Sequence, residues 1–209
     1  LVVYRSRAMP GPLAANYLSL IGNGRFVSAS LVLTGSVGAL YAQATMLPFI
    51  LIKLVGLTPT QFGMGMLMQT GSYFLGSVAL RYSAPRLGAE GSIKVGLALV
   101  LTAGAMMALS TRLIEPSYLS VMVPVAFLGF GIAFLTPHMS TMALYPFPRI
   151  AGSASAMMGF LQMGGGFAGG VIAAVIGQPL IAFGTVIPAM ALLSGASFAV
   201  WRRLARTQD

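Results

Sequence analysis

The sequence predicts an all-α membrane protein with six transmembrane helices, on three observations. First, 57% of its residues are hydrophobic and only 7% are charged, whereas soluble domains carry roughly 25% charged residues. Second, six apolar stretches reach the about 20 residues that a spanning helix needs, and none contains an acidic residue. Third, the connections between those stretches are rich in proline and glycine and are too short to hold a soluble domain.

The apolar stretches divide the chain into three regions. The predicted spans are 26–52, 61–80, 92–111, 118–140, 152–176 and 180–200. We therefore predict a cytoplasmic loop over 1–24, a transmembrane domain over 25–203 and a cytoplasmic tail over 204–209. Within the loop, Leu13, Tyr17 and Leu20 follow helical spacing and indicate a short interfacial helix. Because the chain starts at Leu1 in a loop, we expect it to be part of a longer protein.

Basic residues predict the orientation of the spans. With the N-terminus inside, ten basic residues lie on the cytoplasmic side and two lie outside, which is the bias that short loops show in inner membranes. The ten are Arg5, Arg7, Arg25, Arg81, Arg86, Lys94, Arg149, Arg202, Arg203 and Arg206, and the two are Lys53 and Arg112. We therefore expect a bacterial inner-membrane protein with both termini in the cytoplasm.

Composition also excludes several kinds of function. Cysteine is absent, and the acids Glu90, Glu115 and Asp209 lie in connections or in the tail, so no paired carboxylates or metal-ligating cluster can form. We expect no enzyme activity, no cofactor and no metal site. The basic residues stand singly at the ends of apolar runs instead of forming a stripe with aromatic residues, so we expect no nucleic-acid binding.

A polar stripe along the first span is the main candidate for a functional site. Ser30, Thr34, Gly38, Tyr41 and Thr45 share one helix face, and Gln43 lies off it. Lipid penalises such a stripe, so it should face protein or a water-filled cavity. Interhelical hydrogen bonding explains any single residue equally well.

Other spans supply the remaining candidates. Gln69 and Tyr73 lie one turn apart on the second span, and Phe127, Phe130 and Phe134 form an aromatic row on the fourth. Together with Gln162 they predict a largely apolar cavity that suits small amphiphilic substrates. The predicted lining is Thr34, Tyr41, Thr45, Gln69, Tyr73, Phe130, Phe134, His138 and Gln162. His138, near the inner end of the fourth span, is either a titrating group or a hydrated interfacial residue.

Small residues mark the fifth span as a packing surface. They recur every four residues in two rows, Gly165, Gly169 and Ala173 in one and Gly166, Gly170 and Ala174 in the other. Such rows let two helices approach closely in lipid. The spacing predicts close packing, and whether the interface slides stays open.

Several segments resemble the C-terminal half of a Major Facilitator Superfamily drug:proton antiporter, closest to the Bcr/CflA group. They are GRF at 24–26, PFI at 48–50, GLTPTQFG at 56–63, RLG at 86–88, PFPRIAGSASA at 146–156 and GFLQ at 159–162. The resemblance implies a half-bundle of two inverted three-helix repeats, with the first and fourth spans lining the cavity. It implies export of small amphiphilic compounds in exchange for protons. Its implied partners are the lipid bilayer and an N-terminal six-helix half.

The chain departs from that family at three points. Leu80 stands where the family's loop signature has an acid, and His138 follows Pro137 where relatives often have asparagine. The third departure is that the family's N-terminal six helices are absent; in such antiporters the membrane carboxylate that exchanges protons for substrate usually lies there, and this sequence has no candidate for it. Two alternatives remain: a six-helix unit that transports as a homodimer, and a membrane assembly module without transport.

Overall fold

A computed structural model describes residues 13–206 as a chain of helices. The predictions for Arg5, Arg7 and Asp209 fall outside these residues. The helices are α1 (Leu13–Ile21), α2 (Gly24–Pro48, extended by a π-helical segment, Phe49–Leu54), α3 (Pro59–Leu113), α4 (Tyr118–Leu144), α5 (Ala151–Ile176, after a 3-10 turn, Pro148–Ile150) and α6 (Pro179–Arg206). The described residues contain no strand.

Five helical stretches are long and apolar enough to cross a bilayer. They are Gly24–Leu54, Pro59–Leu113, Tyr118–Leu144, Pro148–Ile176 and Pro179–Ala205. This agrees with the prediction of an all-α membrane protein. Helix α1 covers the stretch in which Leu13, Tyr17 and Leu20 predict a short helix, so residues 13–21 are helical and not loop. Helix α6 likewise continues to Arg206, into the predicted tail.

Helix α3 reverses direction at Gly88. This residue has φ 66° and ψ −177°, a conformation that favours glycine, and it divides α3 into a first arm (59–87) and a second arm (89–113). Along the first arm, Gly65 meets Tyr118 and Gly76 meets Ala133, so this arm runs parallel to α4. Along the second arm the order is opposite, because Gly96 meets Leu135 whereas residues 99 and 100 meet Gly131. The two arms are therefore antiparallel.

Capping residues fix where the helices begin and end at the connections before α3, before α4 and after α5. Thr58 and Ser117 each form a capping box with the residue three positions later, which satisfies the first free N–H groups of α3 and α4. Helix α5 ends at Gly177, whose φ of 71° stops the helix in the left-handed region. These local signals explain why short connections suffice.

The helices pack around α2 and α4. Helix α2 contacts α5, α6 and α4, whereas α4 contacts both arms of α3. Gly165 approaches Thr34 and Gly170 approaches Thr45, so α5 runs parallel to α2. The second arm of α3 runs antiparallel to α6, since Leu101 meets Gly195 and Thr111 meets Gly184. The largest fully buried side chains include Phe26, Leu33, Met107, Leu128 and Phe183.

Candidate polar and aromatic site between helices

The polar stripe of α2 lies largely against α5. A Cβ placed on Gly166 would lie 2.5 Å from the Cβ of Tyr41, and one on Gly170 would lie 3.5 Å from Thr45. Gly165 meets Thr34 in the same way, and Gly169 meets Ala42. Three predicted cavity residues and the predicted packing glycines thus meet at one interface.

Hydrogen bonds inside α2 satisfy two of the four hydroxyls of the stripe, whereas the buried Ser30 hydroxyl has no partner in the protein. The Thr34 hydroxyl donates to the carbonyl of Ser30 at 2.9 Å, and the Thr45 hydroxyl donates to the carbonyl of Ala42 at 2.7 Å. Thr34 is buried, whereas Thr45 is exposed and Tyr41 is 42% exposed. The exposed part of the stripe therefore lies at Tyr41 and Thr45.

The second group of predicted residues lies where the first arm of α3 meets α4. Gly129 of α4 lies beside the backbone of Gln69 and Tyr73, with 3.3 Å from its built Cβ to the Gln69 carbonyl oxygen. Tyr73 is 42% exposed. The Gln69 side-chain oxygen is buried and has no hydrogen-bond partner in the protein. Glycine at 129 thus brings these two helices close enough to enclose a polar group.

The aromatic row of α4 is only partly accessible. Phe130 and Phe134 stack with ring centroids 5.6 Å apart and an interplanar angle of 20°. Phe134 is 4% exposed and packs within the protein. Phe127 and Phe130, by contrast, line a cavity of about 280 Å³ together with Ser72, Leu99 and Ala126. The row therefore offers two rings to a ligand instead of three.

His138 and Gln162 lie half-buried on α4 and α5. The buried Nε2 atom of His138 has no hydrogen-bond partner in the protein. On the same helix, the hydroxyls of Thr136 and Thr141 donate to the carbonyls of Ile132 and Pro137. The Gln162 carbonyl oxygen lies 3.2 Å from a Cβ built on Gly38, which places Gln162 beside the middle of the stripe.

Gln43 is the polar residue whose importance the sequence pattern missed. It is fully buried, and neither atom of its amide has a hydrogen-bond partner in the protein. Leaving a buried polar group unpaired costs about 1–3 kcal/mol. The helical spacing placed Gln43 off the stripe, but it gave no sign that the Gln43 amide is fully buried. A lone amide among apolar residues was the available signal.

Two further cavities flank α5 and are mainly apolar. One of about 370 Å³ is lined by Thr45, Met46 and Phe49 of α2 and by Gly170, Ala173, Ala174, Gly177 and Pro179. The other, of about 460 Å³, lies between α5 and α6, with Thr34 and Thr185 as its hydroxyl-bearing residues. Apolar walls with few hydrogen-bonding groups suit amphiphilic molecules.

Comparison with known proteins assigns no family to this chain. No protein-family model matches the sequence, and no curated protein matches it. Within residues 13–206, no group of three or more His, Asp or Glu side chains is arranged to hold a metal ion. Evidence on function therefore comes from the helix packing, the buried polar groups and the distribution of charged residues.

Proposed function

We propose that this chain is the C-terminal six-helix half of a secondary transporter that exports small amphiphilic compounds in exchange for protons. The proposal joins the resemblance to Bcr/CflA-type antiporters with one structural observation. The contacts that the first and fourth proposed spans make with the other spans are exchanged for one another when the first three spans are exchanged with the last three.

The proposal has six spans instead of five because it treats α3 as two membrane crossings. A straight helix of 55 residues would be about 82 Å long, more than twice the about 30 Å hydrocarbon core of a bilayer. The break at Gly88 and the antiparallel course of the two arms support two crossings instead of one. The six spans are then α2, the first arm, the second arm, α4, α5 and α6.

Under this numbering the contacts are symmetric. The first span packs on the fifth and sixth, and the fourth packs on the second and third. The third packs on the sixth, and the first packs on the fourth. Exchanging first with fourth, second with fifth and third with sixth reproduces this set of contacts. Inverted repeats of this kind are the basis of alternating access in many secondary transporters, and this symmetry is the observation that carries the proposal.

The distribution of basic residues supports a cytoplasmic location for the end of the bundle where α2 begins and α6 ends. The ring pair Phe26–Phe147 and the ion pair Glu90–Arg202 tie the inner ends of the helices together. Described residues at this end are Arg25, Arg81, Arg86, Lys94, Arg149, Arg202 and Arg203 with the single acid Glu90, against Lys53, Arg112 and Glu115 at the other end. On this proposal the membrane is a bacterial inner membrane, and the positive-inside rule favours the basic end on its cytoplasmic side.

The coupling group belongs, on this proposal, to the N-terminal half. Glu90 and Glu115 lie at the two ends of the bundle, and His138 is the only histidine of the chain. Alternating access also needs a second rigid unit that rocks against the first around a shared site. The exposed tyrosines Tyr41 and Tyr73 would then face substrate between the two halves.

Reconstitution into vesicles tests the proposal. The purified chain alone should show no uptake of a lipophilic dye such as ethidium when a pH gradient is imposed. Adding the upstream six-helix half should restore uptake, and Tyr41→Ala should then lower it several-fold. Gradient-driven uptake by the lone chain that is lost in His138→Ala would establish the homodimer instead. No uptake with both halves present would favour the assembly module.

A further inference from the structure

A groove at the basic end of the bundle lies between α1, α2 and α6. Its volume is about 390 Å³, and its apolar lining consists of Ile21, Val27, Leu31, Ala196, Val200 and Leu204. It follows α2 from Gly24 to Leu31, which corresponds to about 10 Å of helix along the bundle. The groove thus has the depth and the apolar walls to take part of an acyl chain.

Two arginines adjoin the mouth of this groove in sequence. Gly24 lies 3.1 Å from the Leu204 side chain, measured from a built Cβ, so the start of α2 meets the end of α6 there. Arg25 and Arg203 directly adjoin these two residues in sequence, and Arg203 is exposed and forms no ion pair with another described residue. Glu90, the one acid at this end among the described residues, already pairs with Lys94 at 2.8 Å and with Arg202 at 3.4 Å. Nothing negative in residues 13–206 remains to neutralise Arg203.

Helix α1 adds an apolar edge to the mouth. Leu20 is fully buried against the bundle, whereas Leu18 is 70% exposed and Ile21 is 57% exposed. Such a short helix, with no charged residue from Leu13 to Ile21, suits the boundary between headgroups and acyl chains. The apolar groove suits an acyl chain, and the arginines that adjoin its mouth suit an anionic headgroup.

We propose that this groove binds an anionic phospholipid of the cytoplasmic leaflet. One acyl chain lies along Val27, Leu31, Ala196 and Val200, and the phosphate group lies at the mouth by Arg25 and Arg203. Attraction of anionic headgroups to basic residues next to a span gives the site its selectivity. The site is independent of transport, so it stands whether or not the proposed function holds.

Native mass spectrometry of the delipidated chain tests this proposal. Dioleoylphosphatidylglycerol should bind roughly 30-fold more tightly than dioleoylphosphatidylcholine, which has the same chains, because two basic residues contribute to headgroup binding. The double variant Arg25→Gln/Arg203→Gln should lose this preference. The matched double variant Arg81→Gln/Arg86→Gln removes two exposed arginines from the α3 turn at the same end and should keep it.

A second pair of variants tests the groove without changing charge. Ala196→Phe fills it and should weaken phosphatidylglycerol binding at least tenfold, whereas Ala199→Phe, on an exposed alanine of the same helix outside the groove lining, should not. Equal affinity for the two lipids overturns the proposal, as does equal weakening by both arginine pairs. Displacement of the lipid by glycerol phosphate alone would indicate a free-anion site. A lipid-independent dimer broken by Ala196→Phe would assign the groove to a second copy.

Discussion

Replacing Gly166 by alanine tests the close contact of α2 with α5. The new Cβ would lie 2.5 Å from the Cβ of Tyr41 and 3.2 Å from the carbonyl oxygen of Gly38. Because carbon atoms in contact normally lie about 3.5–4.0 Å apart, the two helices must separate by about 1 Å. The atoms in the way belong to the backbone and to a Cβ, so no side-chain rotation relieves the overlap. Such overpacking costs about 1–3 kcal/mol.

Gly164 provides the matched control on the same helix. A Cβ at this position meets nothing within 4 Å. Both substitutions gain the same helix propensity, about 0.5–1 kcal/mol for glycine to alanine. The difference between the two variants therefore isolates the packing term of about 1–3 kcal/mol. For a chain of this size, that difference corresponds to about 2–12 °C in melting temperature.

Thermal unfolding of both variants in detergent, followed by far-ultraviolet circular dichroism, measures this difference. Gly164→Ala should melt at or slightly above the temperature of the native chain, and Gly166→Ala should melt below it. Equal melting temperatures for the two variants would refute the close packing of α2 on α5. They would also remove the structural reason for the glycine rows.

Two further predictions follow from exposure and from Gln43. The chain has no cysteine, so single cysteines can report which side of the membrane a residue faces. In intact cells, Thr60→Cys and Gln178→Cys should react with a membrane-impermeant thiol reagent, whereas Tyr82→Cys and Tyr145→Cys should react only after permeabilisation. The reverse pattern would overturn the predicted orientation. Gln43→Met should raise the melting temperature by about 2–12 °C, since it removes an unpaired buried amide that costs about 1–3 kcal/mol. The exposed control Gln178→Met should change little, and a fall for Gln43→Met would show that the amide is paired in the folded protein.

The helices were predictable because the bilayer makes strong local demands on sequence. Each spanning helix must be apolar over about 20 residues, and proline and glycine mark its ends. The same reasoning separated the two arms of α3, since Pro85 and Gly88 interrupt the apolar run there. In the structure the helix is broken at Gly88, which has a positive φ. What the pattern could not give was which helix each face meets, because that depends on three-dimensional packing.

The candidate site illustrates this limit. Helical spacing grouped Thr34, Tyr41 and Thr45 on one face of α2. The recurrence of small residues every four positions grouped the glycines of α5. Neither argument indicated that the two faces contact each other, although polar side chains and small residues fit together when two helices approach closely. Nor did spacing show that Phe134 is buried while Phe130 reaches a cavity. Whether a side chain is buried depends on the helices packed against its own helix. The residue spacing within one helix does not identify those packing partners.

If the proposed transport function holds, the distribution of unpaired polar atoms fits a division between moving and supporting helices. Among the described residues, buried side-chain atoms without a partner occur at Ser30, Gln43, Gln69 and His138, on α2, the first arm of α3 and α4. In the second arm of α3 and in α6, the two fully buried hydroxyls are paired, Ser92 with the Gly88 carbonyl at 2.7 Å and Ser194 with the Val32 carbonyl at 2.9 Å. Proteins satisfy nearly all buried polar groups, so such exceptions need a reason. A transporter supplies one, because α2 and α4 would expose these groups to water or substrate in another state. A rigid scaffold of the second arm and α6 would have no such requirement.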